Sequence, residues 1–252
     1  MLRRYALAVA FLLPSLAHAQ STQGLYVAGA VGPNFDGTLR AAQGVTKVAA
    51  DPGPAGSIAL GWRFGNGIRA EIEGSDGSST VSGISTRRVN GLLYPLTSPT
   101  GDVANYSVMT NVLYDLPVHV HPFGLTLHPY VGAGLGYSWL DFNQTHGGGV
   151  TIFELPQHNQ FTGPSAVDFG AAGALAYQAI VGASLPIRTV HGLELTAEYR
   201  FVGTARADIP VTRTATGGDT VNGAIPSYAT RNGFEAQGSR LMIGARYSFG
   251  AS

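Results

Sequence analysis

The chain has 252 residues, of which only 12% are charged and 35 are glycine, with no cysteine. Fifteen basic and fifteen acidic residues cancel, so there is no electrostatic case for binding nucleic acid or an anionic polymer. The missing cysteine excludes a lipoprotein anchor, a disulfide framework and thiolate chemistry, and the charged fraction lies well below the roughly 25% usual for soluble domains.

The N-terminal stretch MLRRYALAVAFLLPSLAHA has Arg3 and Arg4, an apolar run from Tyr5 to Leu16, and a small-x-small site at Ala17-His18-Ala19. That pattern predicts a cleaved secretory signal peptide over 1–19 and a mature chain over 20–252. Pro14 and the shortness of the run argue against a membrane anchor, which needs about 20 apolar residues. The mature length suits one all-β domain.

Eight strand-like segments follow, at 24–33, 55–64, 68–76, 105–116, 129–141, 172–186, 192–203 and 237–249. The clearest is LELTAEYRFV. Leu193, Leu195, Ala197, Tyr199 and Phe201 alternate with Glu194, Thr196, Glu198, Arg200 and Val202, a period of two that marks a strand with unlike faces. The same alternation sets Ile68, Ala70 and Ile72 against Arg69, Glu71 and Glu73. Near the end it sets Leu241, Ile243, Ala245 and Tyr247 against Arg240, Met242, Gly244 and Arg246. In the fifth segment Val131, Ala133, Leu135, Tyr137 and Trp139 oppose Gly132, Gly134 and Gly136. A soluble sheet would turn the apolar face inward, whereas a membrane barrel turns it to lipid and the polar face to the lumen.

The connections choose between the two. Their lengths in order are 21, 3, 28, 12, 30, 5 and 33 residues. Long and short alternate throughout, as expected of an up-and-down barrel with short periplasmic turns and long extracellular loops. Gly65-Asn66-Gly67 is a tight hairpin signal. Trp62, Phe64, Tyr114, Tyr247 and Phe249 fall near strand ends on the short-turn side, and Tyr137, Trp139, Tyr199 and Phe201 near the other, where interfacial girdles belong. Tyr130 faces inward by parity. The fold class is therefore all-β, an eight-stranded antiparallel up-and-down transmembrane barrel with four long extracellular loops, in the outer membrane of a Gram-negative cell.

NVLYDLP (111–117), PYVGAGLGYSW (129–139), ALAYQAIVGASL (174–185), LTAEYRF (195–201) and RLMIGARYSF near the end resemble the OmpA-like outer-membrane β-barrel family, in its proteobacterial porin-like and surface-antigen branch. The resemblance covers the strands and not the long loops. It implies a barrel serving envelope integrity, surface contact or minor solute passage. Family barrels usually end on an aromatic residue recognised by the assembly machinery, whereas here Phe249 is followed by Gly250-Ala251-Ser252. No peptidoglycan-binding domain is expected after the barrel.

Inward parity collects Arg63, Arg69, Glu71, Glu73, Asp115, Glu194, Glu198, Arg200, Arg240 and Arg246, five basic and five acidic residues. Eight strands enclose only enough room for side chains, and buried charges must be paired. The favoured reading is a salt-bridge network that plugs the lumen. A gate of exchangeable ion pairs in a narrow porin-like channel is the alternative. An outer-membrane lipid-modifying enzyme is the second alternative, although no nucleophile, base and orienting acid converge. His119, His121 and His128 in HVHPFGLTLH carry an H-x-H pair, but a polar periplasmic turn is preferred over a zinc site. No catalytic residue, cofactor or metal is therefore expected. Apolar patches at Leu92, Leu93 and Tyr94, at Ile152, Phe153 and Leu155, and at Ile209-Pro210-Val211 interrupt the polar loops. Exposed, they would be contact sites; packing together or pairing as strand extensions above the membrane is preferred. The expected partners are outer-membrane lipid and lipopolysaccharide, the barrel-assembly machinery through the last strand, and an extracellular partner of unknown kind. A monomer is expected.

Overall fold

A computed structural model of the protein describes residues 23–36, 39–41, 46–87, 93–95, 97–118, 120–142, 146–154, 160–215 and 228–249. The expected signal peptide lies outside the described residues. In chain order the strands are β1 (Gln23–Asp36), β2 (Leu39–Ala41), β3 (Thr46–Ala50), β4 (Gly53–Phe64), β5 (Ile68–Arg87), β6 (Leu93–Pro95), β7 (Thr97–Thr100) and β8 (Asp102–Asp115). They continue with β9 (His128–Asp141), β10 (His146–Glu154), β11 (Gln160–Phe169), β12 (Ala172–Pro186), β13 (Leu193–Thr204), β14 (Ala207–Ala215), β15 (Tyr228–Glu235) and β16 (Gln237–Ser248).

Eight of these strands form a closed antiparallel barrel. Each of β1, β4, β5, β8, β9, β12, β13 and β16 pairs with the next, and β16 returns to β1. Closure leaves no open edge within this ring, so strand backbone groups are paired between neighbours, as lipid requires. The residues explain why the sheet is inside out. Leu135 is 72% exposed and Ile243 71%, whereas Arg69 is 0% exposed and Arg246 3%. In water that arrangement would be untenable; with hydrocarbon outside and a polar lumen inside, both faces are satisfied. No helix among the described residues is long and apolar enough to cross a membrane.

The short turns gather at one end with the chain ends of β1 and β16. In the tightest, Gly65 and Gly67 adopt φ of 80° and 86°, and the Asn66 side chain accepts a hydrogen bond from the Ile68 backbone N–H at 3.1 Å. Residues with side chains would be strained there.

The predicted barrel strands all exist, but the long connections are not bare loops. The third segment, read as ending at Asp76, runs on to Arg87. Its GSDGSSTVSG composition suggests a loop, yet its backbone pairs with β8 and then β3. Gly77 lets the lumen side chains come close: a Cβ there would lie 3.2 Å from both Arg240 Nη2 and Asn34 Nδ2. Above the membrane β5, β3, β2, β15, β14, β11, β10 and β7 pair in that order, and β6 pairs with the far end of β5. The extracellular segments thus form a second antiparallel tier on the barrel.

Candidate functional site in the barrel lumen

Every strand of the barrel sends alternate side chains inward, so the lumen is built from register rather than from any local motif. At the periplasmic end, Glu194 on β13 lies directly across from Arg246 on β16. Arg246 donates to Glu194 through Nε at 3.0 Å and through Nη2. Arg63 donates to the other Glu194 oxygen at 3.4 Å. Arg69 Nη2 lies 2.8 Å from Asp115 and Nη1 lies 3.7 Å from Glu71. These are ion pairs without hydrogen bonds: none of the three Arg69 guanidinium nitrogens makes one.

Aromatic faces help hold that buried cation. The Arg69 guanidinium sits 4.7 Å from the Tyr130 ring centre and 5.8 Å from that of Tyr26, and Arg246 sits 5.5 and 5.7 Å from the same two rings. Two tyrosines thus flank two arginines, and ring quadrupoles attract each cation. The Tyr26 hydroxyl donates to Glu71 at 2.7 Å and the Tyr130 hydroxyl donates to Glu198 at 2.5 Å. Both rings lie over glycines that face them in the neighbouring strand. A Cβ at Gly61 would strike Tyr26, and one at Gly182 would strike Tyr130.

One level up, Arg200 bridges two carboxylates, 2.7 Å from Glu73 and 2.5 Å from Glu198. Gln178 donates to Glu73 at 3.3 Å and to Asn111 at 2.7 Å. The glycines of β9 make room for this layer: a Cβ at Gly132, Gly134 or Gly136 would run into Leu113, Asn111 or Met109 respectively. Above it the polarity weakens. Arg240 donates to Asn34 at 3.3 Å and to Ser75 at 3.0 Å. Ser75 and Ser107 are hydrogen-bonded at 2.7 Å, and Ser138 donates to Asn105 at 2.5 Å. Val81, Val103, Leu140, Phe142 and Ile209 are buried towards the extracellular end.

All ten charges expected in the lumen face it. Nine of them join through ion pairs, tyrosine hydroxyls and cation–π contacts, while Arg240 makes its described bonds to neutral groups a layer higher. Sequence reasoning left out Tyr26, Asn34 and the serines. Parity along β1 would have placed Tyr26 inward, but Gly24, Ala28 and Ala30 beside it hide the alternation.

Of the apolar loop patches, Leu92 and Leu155 lie outside the described residues. Leu93 and Tyr94 belong to β6, and Ile152 and Phe153 pair with Thr162 and Phe161 across β10 and β11. Ile209 is fully buried and Pro210 exposed. His119 and His158 lie outside the described residues, His146 opens β10, and His121 and His191 are exposed in periplasmic turns. No group of three His, Cys, Asp or Glu among the described residues is arranged to hold a metal.

A family model described as "Outer membrane protein beta-barrel domain" matches residues 5–252. The chain belongs to this outer-membrane β-barrel family. A curated relative named "Outer membrane protein", from Gluconacetobacter diazotrophicus, is 34% identical over 200 residues, covering 79% of this chain. The chain spans 47% of that relative's length. Among solved structures, Neisserial surface protein A is similar at a TM-score of 0.50 and 14% identity, covering 90% of this chain and 97% of that one. OprG of Pseudomonas aeruginosa is similar at 0.44 and 14%, with the same coverage. Fold, charged lumen and family together make this an outer-membrane β-barrel protein.

Proposed function

We propose that this barrel is a non-enzymatic surface and envelope protein. Its lumen is a plug, and its extracellular tier carries contacts with matrix, host or neighbouring cells. The observation that carries this reading is the filling of the lumen. The cavity bounded by Glu71, Glu73, Glu198, Arg200 and Arg246 holds only about 10 Å³, roughly the space of a single water. Each bounding charge is tied to an opposite charge or a hydroxyl, so opening a path would separate buried pairs.

Planar-bilayer conductance of the refolded barrel tests it, comparing wild type with Glu198→Ala and Arg200→Ala. A plug gives no steady conductance in the wild type. Steady wild-type conductance that changes with either substitution would make the lumen a narrow channel and overturn the plug.

A further inference from the structure

The periplasmic connections are unequal. Two are tight turns, but the one between β8 and β9 is a hairpin of its own. Leu116 donates its backbone N–H to Pro129 at 2.9 Å, and Val120 and Leu127 exchange backbone hydrogen bonds at 3.1 and 2.9 Å. A short 3-10 turn at Pro122–Gly124 closes the tip. Barrel register pairs Asp115 with Tyr130, whereas the hairpin pairs Val120 with Leu127. Two extra residues therefore lie on the β8 side. An insertion of this kind is a bulge, and bulges bend the strand that carries them.

Because the insertion is even, side-chain alternation stays in phase across it. The lipid-facing series Val108, Val112 and Tyr114 continues as Val118 and Val120, and the series Leu135 and Val131 continues as Leu127 and Leu125. Val118, Val120 and Leu125 are 52%, 51% and 48% exposed, as much as Tyr114 at 42% within the belt. The opposite side of the hairpin carries His121, Thr126 and His128. At about 3.3 Å per residue and a tilt of about 40°, Val120 would stand roughly 15 Å below Tyr114 if the strand ran straight. It would then hold an aliphatic face in water.

We infer that the 116–128 hairpin folds back at its bulge and lies on the inner leaflet of its own membrane, with Val118, Val120 and Leu125 among the acyl chains and the histidine side towards the periplasm. The occupant is phospholipid because the aliphatic side of the hairpin continues, across the bulge, the side-chain parity of the barrel's lipid-facing series. An amphipathic element at an interface is held in this way by its buried apolar area.

The absence of cysteine makes the test clean. Val120→Cys and Thr126→Cys are labelled singly with an environment-sensitive fluorophore, with Val112→Cys as the reference within the belt. Each protein is placed in nanodiscs holding one barrel, which removes any second copy. Brominated phospholipid is expected to quench the label at 120 at least about twofold more than the label at 126, and aqueous iodide to show the reverse order. Equal quenching at 120 and 126, or a label at 120 that responds to iodide alone, overturns the inference and leaves the face to a periplasmic protein. Unlabelled protein gives an independent reading. Backbone amides of 117–128 exchange hydrogen more slowly in nanodiscs than in the Val118→Ser/Val120→Ser/Leu125→Ser variant; identical exchange in the two also overturns it.

Discussion

Arg200→Met tests the lumen network at its most connected cation. Arg200 is 5% exposed and Glu73 is 1% exposed, and the two meet at 2.7 Å. Methionine roughly keeps the volume and removes the charge, so Glu73 is left with only Gln178 among its described partners. Breaking a buried pair from one side costs about 3–5 kcal/mol. An independent bound agrees: neutralising a carboxyl group of ordinary pKa, about 4.3, at pH 7 costs about 3.7 kcal/mol. Adding Glu73→Gln removes the more deeply buried of the two stranded charges, and Glu198 keeps the Tyr130 hydroxyl. The double variant should recover to within about 1–2 kcal/mol of wild type, a coupling of at least about 1 kcal/mol in the cycle. Equilibrium folding into vesicles, titrated with urea and followed by tryptophan emission, measures it. The only two tryptophans, Trp62 and Trp139, both face lipid and report insertion directly. A single variant within about 1 kcal/mol of wild type, or a double variant as unstable as the sum of the singles, would refute the network as a stabilising unit.

Side-chain direction gives a second prediction. Ile72→Arg or Ala197→Arg on the lipid face should cost about 2–4 kcal/mol near mid-membrane by the same titration. Ala197→Leu should be nearly neutral, whereas Thr196→Leu, one residue away and aimed at the small cavity beside Glu198 and Arg200, should cost about 1–3 kcal/mol by overpacking. Equal effects at 196 and 197 would contradict the inside-out assignment. Tyr130→Phe removes a hydroxyl that donates to a carboxylate at 2.5 Å and should cost about 1.5–3 kcal/mol; an unchanged urea midpoint would mean the bond contributes nothing. Gly182→Val should displace the Tyr130 ring and destabilise by a similar 1–3 kcal/mol. Combining it with Tyr130→Ala should give less than the sum, because the ring it strikes is already gone.

The barrel strands were legible because lipid on one side and charge on the other impose a strict period of two. In β13 Leu195, Ala197 and Tyr199 against Glu194, Glu198 and Arg200 mark a strand with two unlike faces, and the alternation of long and short connections decided which face meets lipid. The extracellular strands were hidden for the converse reason. In β5 beyond Asp76, or in β10 with its Gly147-Gly148-Gly149 run, neither face meets hydrocarbon, so no alternation is enforced and composition alone suggests a loop. What the backbone finds there is a neighbour, such as β3 for β5, and neighbours are a property of the closed ring.

Membership of the lumen followed from parity, but the pairing within it did not. Arg200 reaches Glu73, 127 residues earlier in the chain, and Arg63 reaches Glu194, 131 residues later. These distances in sequence are spanned only because the sheet closes and each strand enters at a fixed height. That height also decides chemistry. Arg69 and Arg240 both point inward, yet Arg69 is stacked on tyrosine beside Asp115 and Arg240 bonds to Asn34 and Ser75. The charges therefore collect towards the periplasmic half and give way to serine, asparagine and then aliphatic side chains above. In the plug we propose, the polar network and the apolar outer end resist opening by different physics, one by the cost of separating charges in a low dielectric and the other by excluding water. A substitution that breaks one should leave the other closed.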